Sequence, residues 1–310
     1  MKVVRAKGGE YADCIVSYFN FDRFESGSDD KVFFWGWKCF EDLNLQEEYK
    51  HYKHRVFLDT ASPCAFLTPV DVIEKASYFT KFYTICPITA ELLKDNGVDA
   101  EAVCFPYPEW KFADLDKTIN QEIKMYDSIY YGQVHSQLYR PMIETIAKFN
   151  HQFLTISNHG LDERLASLVT HRNVTTEEKW AVLALTKTCV GMNLLFPIAK
   201  PDINYYTNNY KVSDRVGNML TGDRMPQMKT RMVEAAACKS LMLIRRDEYN
   251  IIEEWFEPNK HFIYWDNEKQ LEIILDDINR NYDKYWNIVE DSNKHVEQYS
   301  ITNFWRKINE

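Results

Sequence analysis

Two cations fall where the sequence disfavours them. In Met228-Lys-Thr-Arg-Met-Val-Glu-Ala-Ala-Ala-Cys-Lys-Ser-Leu-Met-Leu-Ile244 the apolar spacing predicts a helix over 229–238 and a strand over 240–244. Lys229 and Arg231 then occupy the first helical turn, where unpaired N–H groups already carry partial positive charge. A phosphate bound at that end removes the conflict. Glu234 follows Arg231 on the same face, and its carboxylate can accept hydrogen bonds from both hydroxyls of a ribose. The alternative is an Arg231–Glu234 i,i+3 pair on a solvated surface, which periodicity alone favours. Ala235, Ala236 and Ala237 let the helix lie close to a sheet in either case.

A second candidate lies in Ile129-Tyr-Tyr-Gly-Gln-Val-His-Ser-Gln-Leu-Tyr-Arg140, which reads as a strand, a glycine turn and a helix. Pro141 falls in the first turn of that helix, where its missing N–H is tolerated. Gly132 permits close backbone approach, and His135 or Ser136 can point at a phosphate; a glycine in such a turn is otherwise plain geometry. Asp59 ends the apolar run Val56-Phe-Leu-Asp, at the sheet edge where α/β proteins carry functional groups and where turn-capping aspartates also occur. His51 and His54 have loose metal-ligand spacing without supporting cysteines or acids, and read as a solvated helix face. Asp114-Leu-Asp116 does not end an apolar strand and reads as linker charge. The motifs GxSxG, HExxH, GxxxxGK[ST] and GxGxxG are absent, which removes the common hydrolase, zinc-protease, P-loop and dinucleotide readings.

The elements that must position these groups alternate between short β-branched or aromatic runs and longer helical patterns, which implies α/β architecture with parallel sheets. Strands are expected at 14–19, 32–37, 55–58, 82–85 and 102–105, with helices at 71–76 and 89–96, the latter ending at Gly97. A polar stretch at 111–124 is the expected domain boundary. Beyond it come strands at 128–131, 152–156, 189–195, 240–244 and 261–264. Helices are expected at 138–149, at 176–187 behind the capping box Thr175-Thr-Glu-Glu178, and at 229–238, 268–285 and 293–307. Residues 197–227, rich in Asn, Asp and Tyr, read as a long functional loop. The division expected is 1–122, 123–292 and a terminal helical segment 293–310.

Composition narrows the ligand. A chain of 310 residues accommodates two compact domains. Its formal charge of -9, with no Lys/Arg run, disfavours nucleic acid and other long polyanions. The 19 Tyr and 18 Phe suit stacking platforms, although aromatic cores explain them equally well. Seven scattered cysteines without a CxxC pair imply buried thiols in a reducing compartment and no zinc site. No signal-like N-terminus and no long apolar stretch is present, so a cytoplasmic protein without a membrane span is expected.

The stretch Arg231-x-x-Glu-Ala-x-Ala-Cys238, the apolar strand after it, Glu253-Glu-Trp-Phe-Glu-Pro-Asn-Lys260, His-Phe-Ile-Tyr-Trp-Asp266 and Glu268-Lys-Gln-Leu271 together resemble the C-terminal domain of GT-B glycosyltransferases. They are most similar to the group-1-like branch that includes CgeB-type proteins. The resemblance implies two Rossmann-like domains, an interdomain cleft and a C-terminal helix crossing back to the first, acceptor-side domain. It implies transfer of a sugar from a nucleotide-sugar, the co-substrate, to a hydroxyl of a glycan or small-molecule acceptor, with no metal and no further cofactor. It places Arg231, helped by Lys229, at the donor diphosphate and Glu234 at the ribose. The Gly132–Ser136 loop resembles the first βα loop of the donor domain, and Asn193 and Asn204 are candidates to read base or sugar, the alternative for either being a plain loop or strand asparagine. The base that takes the acceptor proton should come from the first domain, with Asp59 ahead of Asp22 and Glu25. Two positions depart from the family pattern: Lys239 stands where Gly is usual, and Pro226 stands where retaining members carry an acid. The second favours an inverting mechanism. A non-catalytic nucleotide- or glycan-binding protein of this fold, and another Rossmann-type transferase, are the alternatives.

Overall fold

The computed structural model describes residues 1–5, 18–26, 30–36, 39–40, 42–60, 67, 71–116, 119–134, 139–155, 158, 160–195 and 200–310. They form two compact units, one made of Met1–Pro108, Leu194–Met228 and Ile301–Glu310, the other of Glu109–Asn193 and Lys229–Ser300.

The first unit is built on a parallel sheet of β1 (Lys2–Arg5), β2 (Lys31–Trp35), β3 (His54–Asp59), β4 (Lys81–Thr84) and β5 (Ala100–Ala102), each beside its successor. Val32, Phe33 and Phe34 of β2 and Phe57 and Leu58 of β3 are buried in unbroken runs, as expected of strands covered on both faces. Helix Pro87–Asp95 starts on proline and ends where Gly97 takes φ +84° and Val98 N–H bonds back to the Leu93 carbonyl at 3.0 Å. The helix Ile301–Asn309 sets Phe304 against Tyr83 and Phe33, and Trp305 against Phe24 and Phe33.

The second unit has a six-stranded parallel sheet in the order β13-β12-β9-β6-β7-β8. Its strands are β6 (Tyr126–Tyr131), β7 (His151–Thr155), β8 (His171–Arg172), β9 (Thr186–Gly191), β12 (Leu241–Arg245) and β13 (Phe262–Trp265). The remaining pair, β10 (Leu194–Leu195) and β11 (Met225–Pro226), is a short antiparallel bridge in the first unit. The capping box at Thr175 is present in full, with Thr175 accepting from Glu178 N–H and Glu178 from Thr175 N–H.

Several expected elements are corrected. The long loop at 197–227 contains two helices, Ile203–Asn209 capped by Asp202 and Asp214–Thr221 capped by Ser213. Local caps and the burial of Tyr206, whose hydroxyl donates to the Leu67 carbonyl at 2.8 Å, override a composition that reads as loop. Asn96 exchanges two hydrogen bonds with the Lys211 backbone and Ser213 meets Glu91, so this segment packs within the first unit rather than with residues 123–292. The supposed linker at 111–124 includes helix Glu109–Asp116, whose Phe112 packs 4.2 Å from Trp180; Asp114 and Asp116 thus sit in a helix. The expected helix 268–285 stops at Arg280, and Trp286–Val296 is a separate helix. Of the strand expected at 14–19, residues 14–17 lie outside the described residues, while Tyr18 and Phe19 are helical. The strand β1 carried no sequence signal that distinguished it.

Lys239 has a structural account. The helix Thr230–Ala237 closes with Lys239 at φ +51° and Ser240 N–H bonded to the Ala235 carbonyl at 2.9 Å, a left-handed cap that glycine adopts without steric cost. Lys239→Gly is therefore expected to stabilise the protein by about 0.5–1 kcal/mol. Thermal unfolding reads this as a midpoint about 1–3 °C higher.

Lys124 ties two helix ends together. Its ammonium donates to the carbonyls of Ala184, the last residue of helix Thr176–Ala184, at 2.7 Å and of Cys238 at 3.4 Å. Burial pushes its pKa down to about 7, with Lys239 nearby acting in the same direction and the Cys238 thiol against it. An unfolded lysine still holds its proton above pH 7, so the unfolded state binds more protons and stability rises with pH. The window is about pH 7–9, below the range where buried thiols such as Cys189, pushed up to about 12, act in the opposite sense. Lys124→Met is expected to flatten this rise, measured as midpoint against pH for both proteins.

Candidate functional site

In the second unit the chain starts at β6, adds β7 and β8 on one side, then returns to add β9, β12 and β13 on the other. The reversal lies between β6 and β9, and in open α/β sheets ligands bind outside the carboxyl ends of the strands at that point. Gly132 follows β6 and Gly191 ends β9. Arg231, in the first turn of helix Thr230–Ala237, lies against both: a Cβ on Gly132 would meet its Nη2 at 2.5 Å, and one on Gly191 would meet its Cδ at 3.3 Å. Gly132 also has φ +121°, so both its backbone and the space beside it favour glycine.

Arg231 is 9% exposed, with its guanidinium carbon 4.7 Å from the Tyr130 ring centroid and 5.6 Å from that of Tyr131. Its Nη1 is buried without a hydrogen-bond partner among the described residues. A buried charged donor left unmade is costly, and such groups mark places where an ion or ligand belongs. Asn193, two residues beyond β9, is fully buried, and neither its side-chain oxygen nor its nitrogen has a partner among the described residues.

Glu234 is 0% exposed and fully engaged. Its Oε2 accepts from the Tyr131 hydroxyl at 2.6 Å; Oε1 accepts from Lys179 Nζ at 2.7 Å and Trp180 Nε1 at 3.1 Å. Burial, and then the Glu234 charge, raise the Tyr131 phenol well above its ordinary pKa, so it stays a donor. Arg231 and Glu234 therefore do not pair with each other, and neither is a surface residue. This excludes the solvated i,i+3 pair.

Lys229 is the N-cap of the helix, with extended backbone. His135 and Ser136 lie outside the described residues. Asp59, in the first unit, is buried at the end of β3 and accepts from the Thr84 hydroxyl at 2.9 Å. Glu25 pairs with Lys2 at 2.8 Å, and Asp22 lies in the single turn Phe21–Phe24. Asn204 lies in helix Ile203–Asn209. Sequence reasoning missed Tyr131, Lys179 and Trp180 as the partners of Glu234. The only available signal was that Lys179 and Trp180 directly follow a strong capping box. Among the described residues no cluster of three His, Cys, Asp or Glu is arranged to hold a metal, and no helix is long and apolar enough to cross a membrane.

No protein-family model and no curated protein matches the sequence. Solved structures do match in fold. Anabaena HepE in complex with UDP is 9% identical, covers 100% of this chain and 98% of its own, and superposes with a TM-score of 0.60. A glycosyltransferase from Rickettsia africae is 11% identical, covers 98% and 87%, and also gives 0.60. Staphylococcus aureus TarM, in a complex with Fondaparinux, alpha-GlcNAc-glycerol and UDP, is 11% identical, covers 96% and 58%, and gives 0.56. The chain has the GT-B fold: α/β, with two Rossmann-like units, each on a parallel sheet.

Proposed function

We propose that this chain is a glycosyltransferase that moves a sugar from a nucleoside-diphosphate sugar to a hydroxyl of a glycan or small-molecule acceptor, without a metal. The observation that carries the reading is Arg231: a buried guanidinium with an unpartnered Nη1, at a helix start and wedged between Gly132 and Gly191 at the sheet's switch point. The fold supports the reading, because HepE has been crystallised with UDP, with UDP-glucose and with UDP and glucose. As the anomeric bond breaks, negative charge grows on the leaving diphosphate. The helix start and Arg231, with Lys229 close by, stabilise that charge without reorganising. Asp59, the buried carboxylate ending β3, is the proposed base on the acceptor side, and Pro226 in place of an acid favours inversion. The narrower likeness to CgeB-type proteins rests on residues 228–271 and belongs to this proposal.

A thermal-shift panel of UDP, GDP, CDP, ADP and S-adenosylmethionine tests the ligand class, since a bound ligand raises apparent stability by mass action. A nucleoside diphosphate is expected to stabilise the protein, and its sugar conjugate is expected to be turned over in the presence of EDTA. Stabilisation without release of nucleoside diphosphate from any sugar donor would show a binding protein. A shift with S-adenosylmethionine alone would favour another Rossmann-type transferase.

A further inference from the structure

We infer that Lys179 is a donor-binding residue, forming with Arg231 a two-cation seat for the diphosphate, and that Glu234 acts by positioning Lys179. The inference rests on the nucleoside-diphosphate reading above and assigns its parts differently within the site.

The two cations share one ring. Arg231 lies 5.6 Å and Lys179 Nζ 5.2 Å from the Tyr131 centroid, at the carboxyl end of β6. With Glu234 as the single carboxylate bonded into this network, the set of Arg231, Lys179 and Glu234 carries one net positive charge in a largely enclosed place. Such a charge is stabilised by an anion. Donors are also to spare. An ammonium has three N–H groups, and Lys179 spends one on Glu234; no other acceptor for it is found among the described residues. Arg231 Nη1 has none.

Accessibility decides between Lys179 and Glu234 as the group that meets the ligand. Glu234 is 0% exposed, Trp180 1% and Tyr131 6%, whereas the Lys179 side chain retains 19%. A ribose reaching the Glu234 carboxylate has to move one of the side chains that enclose it, because the carboxylate is wholly buried and already accepts from Tyr131, Trp180 and Lys179. A phosphate oxygen approaching Lys179 can leave its bond to Glu234 in place, because the ammonium has two further N–H groups. The same ion pair fixes the rotamer of a long side chain and lowers the entropy lost on binding.

The test uses the full chain and isothermal titration with UDP, GDP, CDP and ADP, the 2′,3′-dideoxy form of whichever binds best, and inorganic pyrophosphate. Lys179→Gln should weaken both the nucleoside diphosphate and pyrophosphate by about 30-fold, the effect of losing one charge-assisted hydrogen bond, and Lys179→Arg should restore most of it. The dideoxy ligand should bind the wild-type chain within about threefold of its parent, because no buried carboxylate reads the ribose. The inference is overturned if Lys179→Gln binds the diphosphate as wild type does. It is equally overturned if the dideoxy form loses more than about tenfold and Glu234→Gln erases that difference, since Glu234 would then be the ribose ligand. Absence of binding by all four nucleoside diphosphates to the wild-type chain is a different failure. It overturns the sugar-transfer reading itself and this inference with it.

Discussion

Arg231→Met is expected to weaken nucleoside-diphosphate binding by about 100-fold or more while leaving the ligand-free protein within about 1 kcal/mol of wild-type stability. The two halves of this expectation come from the same atoms. In the ligand-free protein the guanidinium is buried among Tyr130, Tyr131, Gly132 and Gly191, and Nη1 has no acceptor. Its contacts with the tyrosines, Tyr130 foremost, offset the cost of desolvating it, and methionine fills similar space without an unmet donor. In the complex the balance changes, because a diphosphate supplies the missing acceptors in a place shielded from water. Paired measurements check both halves: titration with the best-binding nucleoside diphosphate, and urea unfolding without ligand. A variant that loses stability and affinity together would make Arg231 a structural residue; one that loses neither would remove it from the site. The wild-type affinity should also fall with added salt, and the Arg231→Met slope should be shallower by about one ion.

How far the sequence discloses this protein depends on whether a signal is local. Strands β2, β3, β4, β6, β7, β9, β12 and β13 are short, largely buried runs, and each is readable at its own position. The helix at Thr176 declares itself by its capping box, which needs only four residues. The helices Ile203–Asn209 and Asp214–Thr221 do not, because their stretches are rich in Asn and Tyr and gain stability from tertiary burial of Tyr206, Val216, Met219 and Leu220. The site divides in the same way. Arg231 at a helix start is a conflict visible within one turn. Its seat between two glycines 59 positions apart in sequence (191 against 132) is a product of strand order, which a single sequence does not print. Glu234 was legible as a residue and not as a network: Tyr131, Lys179 and Trp180 reach it from 103, 55 and 54 positions away. The family's usual glycine at position 239 becomes intelligible only from φ, which shows that the position asks for a left-handed cap rather than for chemistry.

Glu234→Ala is expected to destabilise the protein by about 3–5 kcal/mol, the largest stability effect of any substitution at the site. The carboxylate is wholly enclosed and takes three donors, two of which, the Tyr131 hydroxyl and the Trp180 indole, are themselves buried and cannot turn to water. Removing it leaves those donors unmet and opens a void between helices Thr176–Ala184 and Thr230–Ala237. Lys179 loses its partner too, but its partly exposed side chain can swing outward, so this share of the cost is smaller. Adding Lys179→Met to Glu234→Ala should therefore cost less than the two changes made separately, with a coupling of about 1–2 kcal/mol in a double-mutant cycle. Glu234→Gln keeps an oxygen for Trp180 and Lys179 and turns its amide N–H toward the Tyr131 hydroxyl, which can accept, so it should fall between wild type and alanine. Chemical unfolding of the four proteins of the cycle and of the glutamine variant decides the matter. If alanine costs less than about 0.5 kcal/mol, the enclosed network does not hold the two helices. Set beside Arg231→Met, the outcome separates the two members of the motif by what they do to the ligand-free chain. Arg231→Met is expected to leave it nearly unchanged because Nη1 makes no hydrogen bond that the change would break, whereas Glu234→Ala is expected to weaken it because the partners of the carboxylate are already in place.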